Sequence, residues 1–336
     1  MIRLAVVGCA GSAQHYVDVA ARVQHASFVA TVDADLELAR STAARLGAAV
    51  SAVNLSELLE RHAADFDAVL VHSENCVHSC DASLAVKAQK HLLVETPFAF
   101  SNNGAEEVVA AAERGKVCLM VGQSERFQPS IQVVRDKIAG GQVGEPALVR
   151  IHRWEGRCTG GWQAWQQDVE RSGGTILGQV TRDIDLVCWL FGRQPTEVFA
   201  VGRNPGNATD EDWDYVQLHL GFTAGAMALI VYSRTLPAGD GYFSLSAIGS
   251  TGAVYADDHH NMQLLYRGGA PLALKTDQGH HHIVAQLQEF VDAIKEDRTP
   301  SITGTDGKNA VNVARAAQKS IATGLAVHLA NQEEAL

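Results

Sequence analysis

The sequence predicts an α/β protein of two domains, the first built on a parallel sheet and the second on a large, mainly antiparallel one. Three observations carry this reading. Strand and helix patterns alternate strictly over residues 1–122, a glycine-rich turn follows the first strand, and after Gly122 strand patterns succeed one another with few helices between them. Alternation implies crossover connections and parallel strands covered on both faces, whereas strands in succession pair antiparallel. The chain therefore divides into residues 1–122 and 123–336.

In the first part, Arg3–Gly8 is an apolar, β-rich run. Ala13, Tyr16, Val17, Ala20 and Val23 then recur at helical spacing over Gly11–Val23. Phe28–Asp33 reads as a strand ending on a carboxylate, and Leu36–Leu46 as a helix. Strands at Asp67–Val71, His91–Glu95 and Val117–Val121 alternate with helices at Asp81–Ala88 and Glu106–Arg114. In the second part, Pro129–Ala139 is a helix stopped by Gly140 and Gly141, and Thr181–Phe191 one closed by Gly192. Strands are expected at Ala147–Trp154, Glu197–Val201, Tyr215–Leu220, Ala226–Tyr232, Phe243–Ile248 and Met262–Tyr266. Helices at Ile283–Glu296 and Gly307–Gly324 finish the fold.

The bulk properties narrow the function. With 336 residues, 46% of them hydrophobic and 19% charged, the chain has the composition of a globular protein with a large core. A formal net charge of −11 repels nucleic-acid phosphates and anionic lipid, which argues against both partners. No apolar run approaches the roughly 20 residues that span a bilayer. The first apolar run, Leu4–Gly8, is shorter than a secretory core of about 7–15 residues, so a cytoplasmic start on a strand is expected. Six scattered cysteines suit a reducing compartment. Cys76, His78 and Cys80 lie close together, but a zinc site wants a second ligand pair that does not appear, so no metal is expected.

The glycine-rich turn carries the first chemistry. Gly8-Cys9-Ala10-Gly11-Ser12-Ala13 follows a strand and opens a helix, the context of a Rossmann dinucleotide fingerprint. Gly8 fills its first place and Ala13 its third, while Ala10 puts a methyl group where backbone should meet pyrophosphate. Gly11 lets the loop adapt, and the helix N-terminus offers amides to an anion. Asp33, about 20 residues on, stands where a carboxylate holds a ribose. Its neighbours Ala34 and Asp35 offer no arginine for a 2′-phosphate, so NAD(H) is favoured over NADP(H). The plainer alternative is a turn kept only for packing.

Five further segments resemble one family in order and spacing. Ser73-Glu74-Asn75-x-x-His78 is similar to a Thr-Pro-Asn-x-x-His cofactor turn, and Glu95-Thr96-Pro97 to a Glu-Lys-Pro. Arg126-Phe127-x-Pro129 with Gly141–Gly144 follows, then Gly173-Gly174 with Asp183-Ile184-Asp185, and Phe290, Thr303-Gly304 and Ser320–Gly324 close the series. Over nearly its whole length the chain resembles the Gfo/Idh/MocA oxidoreductases. The resemblance implies a Rossmann domain, NAD(P), a sugar or polyol hydroxyl as the reacting group, and a homodimer or homotetramer formed through the open sheet face. It assigns Ser73, Asn75, His78, Glu95 and Thr96 to the cofactor side, and Thr96, Arg182 and Asp185 to the catalytic centre.

The resemblance fails where the family handles the proton. The lysine position is Thr96, the aspartate position Gly178 and the histidine position Arg182. Neither threonine nor glycine serves as a base, and arginine stays protonated. Arg126 and Arg182 suggest instead a clamp for an anionic substrate, the plainer alternative being that Arg182 pairs with Asp185 or Glu95. His72 or His152 offers a replacement base, or else is structural. Tyr16 reads as core. Trp162 and Trp165 suit a lid over a sugar or nicotinamide, or an anchor at a dimer contact. His259-His260 and His280–His282 read as exposed histidines that scavenge metal. The leading expectation is an NAD(H)-dependent oxidoreductase on a sugar, polyol or carboxylated sugar. Its rivals are a transient-redox elimination or epimerisation and a ligand-binding pseudo-enzyme.

Overall fold

The computed structural model describes residues 1–156, 165–204, 212–237, 240–257 and 280–329, with the backbone of 262–266 and 272–275. The expectations placed on Trp162, Cys158 and His259-His260 lie outside the described residues.

The first sheet follows from the alternation. In chain order its elements are β1 (Ile2–Val7), α1 (Ser12–Val19), β2 (Ala26–Val32), α2 (Leu36–Leu46), β3 (Val50–Ala52) and α3 (Leu55–His62). Then come β4 (Ala68–Val71), α4 (His78–Lys87), β5 (His91–Glu95), α5 (Asn102–Gly115) and β6 (Leu119–Gly122). The six strands lie in the order β3-β2-β1-β4-β5-β6, every pair parallel, which is the Rossmann arrangement. The order reverses between β1 and β4, so the loops after these strands diverge and leave a crevice. The middle of β5 is apolar because both faces are covered, and Leu92, Leu93 and Val94 are fully buried. Burial of each such side chain contributes about 1.5–3 kcal/mol.

The second part contains α6 (Pro129–Ala139), β7 (Pro146–Gly156), α7 (Val169–Ser172), a π-helical turn at Ile176–Val180, and α8 (Thr181–Phe191). It continues with β8 (Glu197–Arg203), β9 (Tyr215–Gly221), β10 (Met227–Leu236), β11 (Gly241–Gly249), β12 (Ala253–Asp257), β13 (Met262–Tyr266) and β14 (Leu272–Lys275). Helices α9 (His281–Lys295) and α10 (Gly304–Thr323) and the short β15 (Val327–His328) follow. Nine strands form one sheet in the order β14-β13-β12-β11-β7-β10-β9-β8-β15. It is mixed, because β7 and β10 are parallel while the other pairs are antiparallel. Period-two alternation sends Ile151, Arg153 and Glu155 of β7 inward, and Arg150, His152 and Trp154 to the open face.

The chain's last helices do not stay within the second sheet's territory. Gln286 of α9 reaches Tyr16 of α1, Arg315 of α10 reaches the Phe100 carbonyl, and Thr303 bridges to Met120 of β6. The apolar core is correspondingly one continuous cluster from Leu4 to Ala317. Helix α10 begins on a capping box in which Thr303 accepts from the Asp306 amide at 3.2 Å and Asp306 accepts from the Thr303 amide at 2.7 Å. Thr303→Ala should therefore lower stability by about 1 kcal/mol, seen as a lower urea midpoint at unchanged slope.

Candidate active site

Two cavities meet at the carboxyl end of β5. One, of about 710 Å³, lies against the ends of β1, β2, β4 and β5 and is lined by Gly8, Ala10, Asp33, Asn75 and Glu95 among others. The second, of about 780 Å³, opens between the two sheets and is lined by Tyr16, Glu155, Tyr232, Arg234 and a series of amide and hydroxyl side chains. Ser12, Glu95, Thr96, Gln166, Gln179 and Arg182 border both.

The first cavity fits a dinucleotide. Gly8 has φ +85°, and a Cβ there would stand 2.4 Å from the His72 carbonyl oxygen, so only glycine makes this turn. No side chain caps α1 at Gly11, which leaves the helix end for an anion. Ala10 is outside the left-handed region, so its methyl adds bulk to the wall without backbone strain. Asp33 is fixed by the Cys9 amide at 2.8 Å and the Asp35 amide at 2.9 Å, and its carboxylate retains lone pairs for ribose hydroxyls.

The other motif residues hold the crevice together. His78 is buried with both ring nitrogens 2.8 Å from carbonyls, of Pro97 and of Ser73, so it staples the loops after β4 and β5. Burial lowers its pKa, and the two carbonyls oppose that. Asn75 donates to the Ser172 carbonyl at 2.8 Å across to the second sheet's side, and Ser73 donates to Asp81 at 2.7 Å.

Glu95 stands where the cavities join. Its Oε1 accepts from the Tyr16 hydroxyl at 2.7 Å and its Oε2 from the Thr96 amide at 3.1 Å. Burial pushes the carboxyl from 4.5 up to about 7, against the Tyr16 and Thr96 hydrogen bonds and the distant pull of Arg182. Tyr16 is core by its ring and part of the site by its oxygen, which also accepts from Gln286. Its role was hidden in the sequence because its helical spacing matched an apolar stripe. Gln179, Glu125, Glu155, Tyr232 and Arg234 likewise enter the site only through tertiary structure.

The arginines fall differently from expectation. Arg182 borders both cavities, but its partners are Glu155 and, at 3.9 Å, Glu125, rather than Asp185 or Glu95. Arg126 and Asp185 are not in the cleft. They form a buried bidentate pair at 2.5 and 2.7 Å, extended to Asp306 at 3.2 Å, and border a separate cavity near Trp189. Asp185 lies one helical step, three residues, beyond Arg182 and is nonetheless taken by Arg126, while Asp183 turns toward β7 to take Arg153 at 2.7–3.0 Å. Arg153 also donates to Glu125 at 2.5 Å. Glu155, which burial alone would raise, is held below the ordinary carboxylate range by Arg182 and Arg153.

Neither proposed histidine base is suited to the task. His72 is buried, its Nδ1 3.2 Å from the Ser12 hydroxyl, and burial pushes its pKa down to about 3. His152 lies on the open face of β7, near Trp154 and away from both cavities. Trp165 borders the dinucleotide cavity. Among the described residues, His15, Asp18 and His280 are the one group whose ligand atoms approach within 4.8 Å of one another. All three are exposed, and Asp18 is already paired with Arg45 at 2.5 Å.

A Rossmann sheet whose crevice opens onto a polar cleft is the arrangement of a dinucleotide-binding domain set beside a substrate site. Residues 2–123 match the family described as "Oxidoreductase family, NAD-binding Rossmann fold", and residues 131–255 match the "GFO/IDH/MocA C-terminal domain". The chain belongs to the Gfo/Idh/MocA oxidoreductases. It is 30% identical to the uncharacterized oxidoreductase YrbE of Bacillus subtilis over 284 residues, 81% of each chain. To the myo-inositol 2-dehydrogenase of Thermotoga maritima it is 25% identical, covering 95% of this chain and 96% of that one. Among solved structures, a levoglucosan dehydrogenase in complex with NADH and levoglucosan superposes with a TM-score of 0.87 at 18% identity, over 97% and 99% of the two chains. No described helix is long and apolar enough to cross a membrane.

Gly178, which the resemblance aligns with the family's aspartate, belongs to the π-helical turn. A Cβ on it would stand 2.9 Å from the Ser172 carbonyl oxygen and 3.3 Å from the Asn75 amide. Gly178→Asp is accordingly expected to lower stability by about 1–3 kcal/mol through overpacking, whereas Thr96→Lys at the cavity edge should not. Urea unfolding of the two variants compares them.

Proposed function

We propose that this chain oxidises a hydroxyl of a neutral, sugar-like polyol, or reduces the corresponding ketone, with NAD(H). The observation that carries the proposal is the meeting of a dinucleotide cavity and a hydroxyl- and amide-lined cleft at Glu95 and Thr96. The nicotinamide, when bound, supplies the hydride acceptor or donor. The relatives named for inositol and for 1,5-anhydro-D-fructose support a polyol substrate.

The cleft's charge supports a neutral substrate over an anionic one. It is lined by five carboxyl groups (Glu95, Glu125, Glu155, Asp212 and Asp214) and two guanidinium groups, Arg182 and Arg234. Arg234 is held by Asp212 at 2.5 Å and Asp214 at 3.2 Å, and Arg182 by Glu155 and Glu125. An anion entering here would meet cations that are already neutralised and an excess of carboxylate. Asp33 and Asp35 side by side at the ribose end oppose a 2′-phosphate in the same way, which favours NAD(H) over NADP(H). Five described cysteines are all unpaired, as suits a reducing compartment.

Titration by energy transfer from tryptophan should show NADH binding at least about tenfold tighter than NADPH, since one repelled phosphate costs more than 1.4 kcal/mol. A panel of neutral polyols and their carboxylated analogues should then yield NADH with the neutral set. Turnover of only the carboxylated set would defeat the neutral-substrate reading. No hydride transfer from any alcohol, in protein that binds NADH, would favour a ligand-binding role.

The open face of the second sheet exposes Trp154, Phe199, Tyr215, Met227 and Ile248. An apolar face of this kind on a single chain marks an interface, and we infer that a second copy covers it. Sedimentation should show a dimer or larger assembly. The double variant Phe199→Glu/Met227→Glu should sediment as a monomer.

A further inference from the structure

Oxidation of an alcohol needs a group that takes the hydroxyl proton as hydride leaves carbon. The resemblance assigns that role to positions occupied in this chain by Thr96, Gly178 and Arg182. The reacting carbon has to sit where the dinucleotide cavity and the substrate cleft join. Among the described residues bordering both, only Glu95 and Arg182 are ionisable, and a guanidinium does not accept a proton. We propose that Glu95 is the proton acceptor of the reaction and that Tyr16 is its positioning residue. This rests on the dehydrogenase reading above.

The surroundings of Glu95 are those of a base held ready rather than of a structural ion pair. The groups that face it are Tyr16 from α1, His72 from the end of β4, and Arg182 from α8. His72 Nδ1 is 3.9 Å away and the ring stays neutral, while Arg182 is engaged by Glu155 and Glu125. On the β6 side the neighbour is Gly122, where a Cβ would stand 3.0 Å from the carboxyl, so that face offers backbone only. Tyr16, anchored by Gln286, fixes one carboxyl oxygen, and the Thr96 amide fixes the other. Each oxygen keeps a lone pair for an incoming hydroxyl.

The step balances as follows. The carbinol C–H bond breaks, and its electron pair leaves with hydrogen to the oxidised nicotinamide dinucleotide. The O–H bond breaks, its electrons form the carbonyl π bond, and its proton bonds to Glu95. The products are a ketone, reduced dinucleotide and a neutral carboxyl that later releases the proton to water. A carboxyl whose pKa is raised to about 7 matches this cycle near neutral pH, because it is a stronger base than an ordinary carboxylate and still ionises.

The test pairs Glu95→Gln with Tyr16→Phe in the full chain. Glu95→Gln should lower kcat by about 10²–10⁴-fold while leaving NADH affinity within a few-fold. Tyr16→Phe removes a donor that favours the ionised carboxyl, so the acid limb of its pH–rate profile should move up by about one unit with most of the high-pH rate kept. A second readout needs no substrate. The folded pKa of Glu95 lies above the unfolded value, so its contribution to stability is full below the unfolded pKa and is lost as pH rises through about 7. Relative to Glu95→Gln, the native protein should therefore lose stability between about pH 5 and pH 8. A flat difference across that range, or a Glu95→Gln enzyme that keeps its kcat, overturns the proposal. Absence of hydride transfer with every alcohol defeats the dehydrogenase reading and the base together, whereas activity retained in Glu95→Gln defeats the base alone.

Discussion

Charge withdrawn from water must be paired, and that constraint organises the space between the two sheets. Besides Arg234, held by Asp212 and Asp214, three guanidinium groups enter it, and each meets at least two carboxylates: Arg126 with Asp185 and Asp306, Arg153 with Asp183 and Glu125, Arg182 with Glu155 and Glu125. The partners come from the segment after β6, from β7, from α8 and from the start of α10. The pairs therefore fix these elements relative to one another, and loss of one partner would leave a buried charge uncompensated at several kcal/mol. Glu95 is the exception. It is buried with hydroxyl and amide donors but no direct cation, and its proton affinity rises in consequence. Burial also raises Asp185, to about 6 against the pull of Arg126, whereas arginine neighbours hold Glu155 and Asp306 low, so Glu95 differs in having no direct cation.

Thr96, Gly178 and Arg182, which the resemblance sets at the family's proton-relay positions, are not independent of one another. Arg182 brings a cation that must be neutralised, and Glu155, oriented by Tyr232 at 3.0 Å, provides the partner. Gly178 lets the turn before α8 pass close to the Ser172 carbonyl and the Asn75 amide. Thr96 leaves the mouth between the cavities without a competing ammonium group, and the carboxyl beside it keeps no strong ion-pair partner. A lysine at that position would bring a cation to Glu95 and pull its pKa down. The replaced residues and the raised carboxyl are two sides of one local redistribution of charge.

Much of the fold was legible because it depends on periodicity. The run Leu92–Val94 announced a strand covered on both faces, and Gly8 after β1 announced the turn that no other residue makes. Strand β3 was not legible, since three residues are too few to show a period, and the same holds for the short strands β14 and β15, whereas α3 carries a readable pattern in Leu55, Leu58 and Leu59 behind an Asn54 cap. Spacing after the glycine-rich turn pointed to Asp33, and the family likeness to Glu95 and Arg182, as crevice residues. The likeness also pointed Arg126 and Asp185 toward the cleft, whereas they pair with each other behind it. Sequence spacing does not tell which of several nearby carboxylates an arginine takes, because partners such as Asp306 lie 180 residues away.

The sequence by itself determined the two sheets and the dinucleotide turn, because each is written in local spacing or in the identity of one residue. Tertiary structure alone decided that the ring of Tyr16 belongs to the core while its oxygen holds Glu95, that Gln286 steadies that oxygen from a helix 270 residues away, and that Arg182 is spent on Glu155. The reason is physical. Desolvation and pairing depend on which groups share a water-poor space, and that is set by packing between segments distant in the chain.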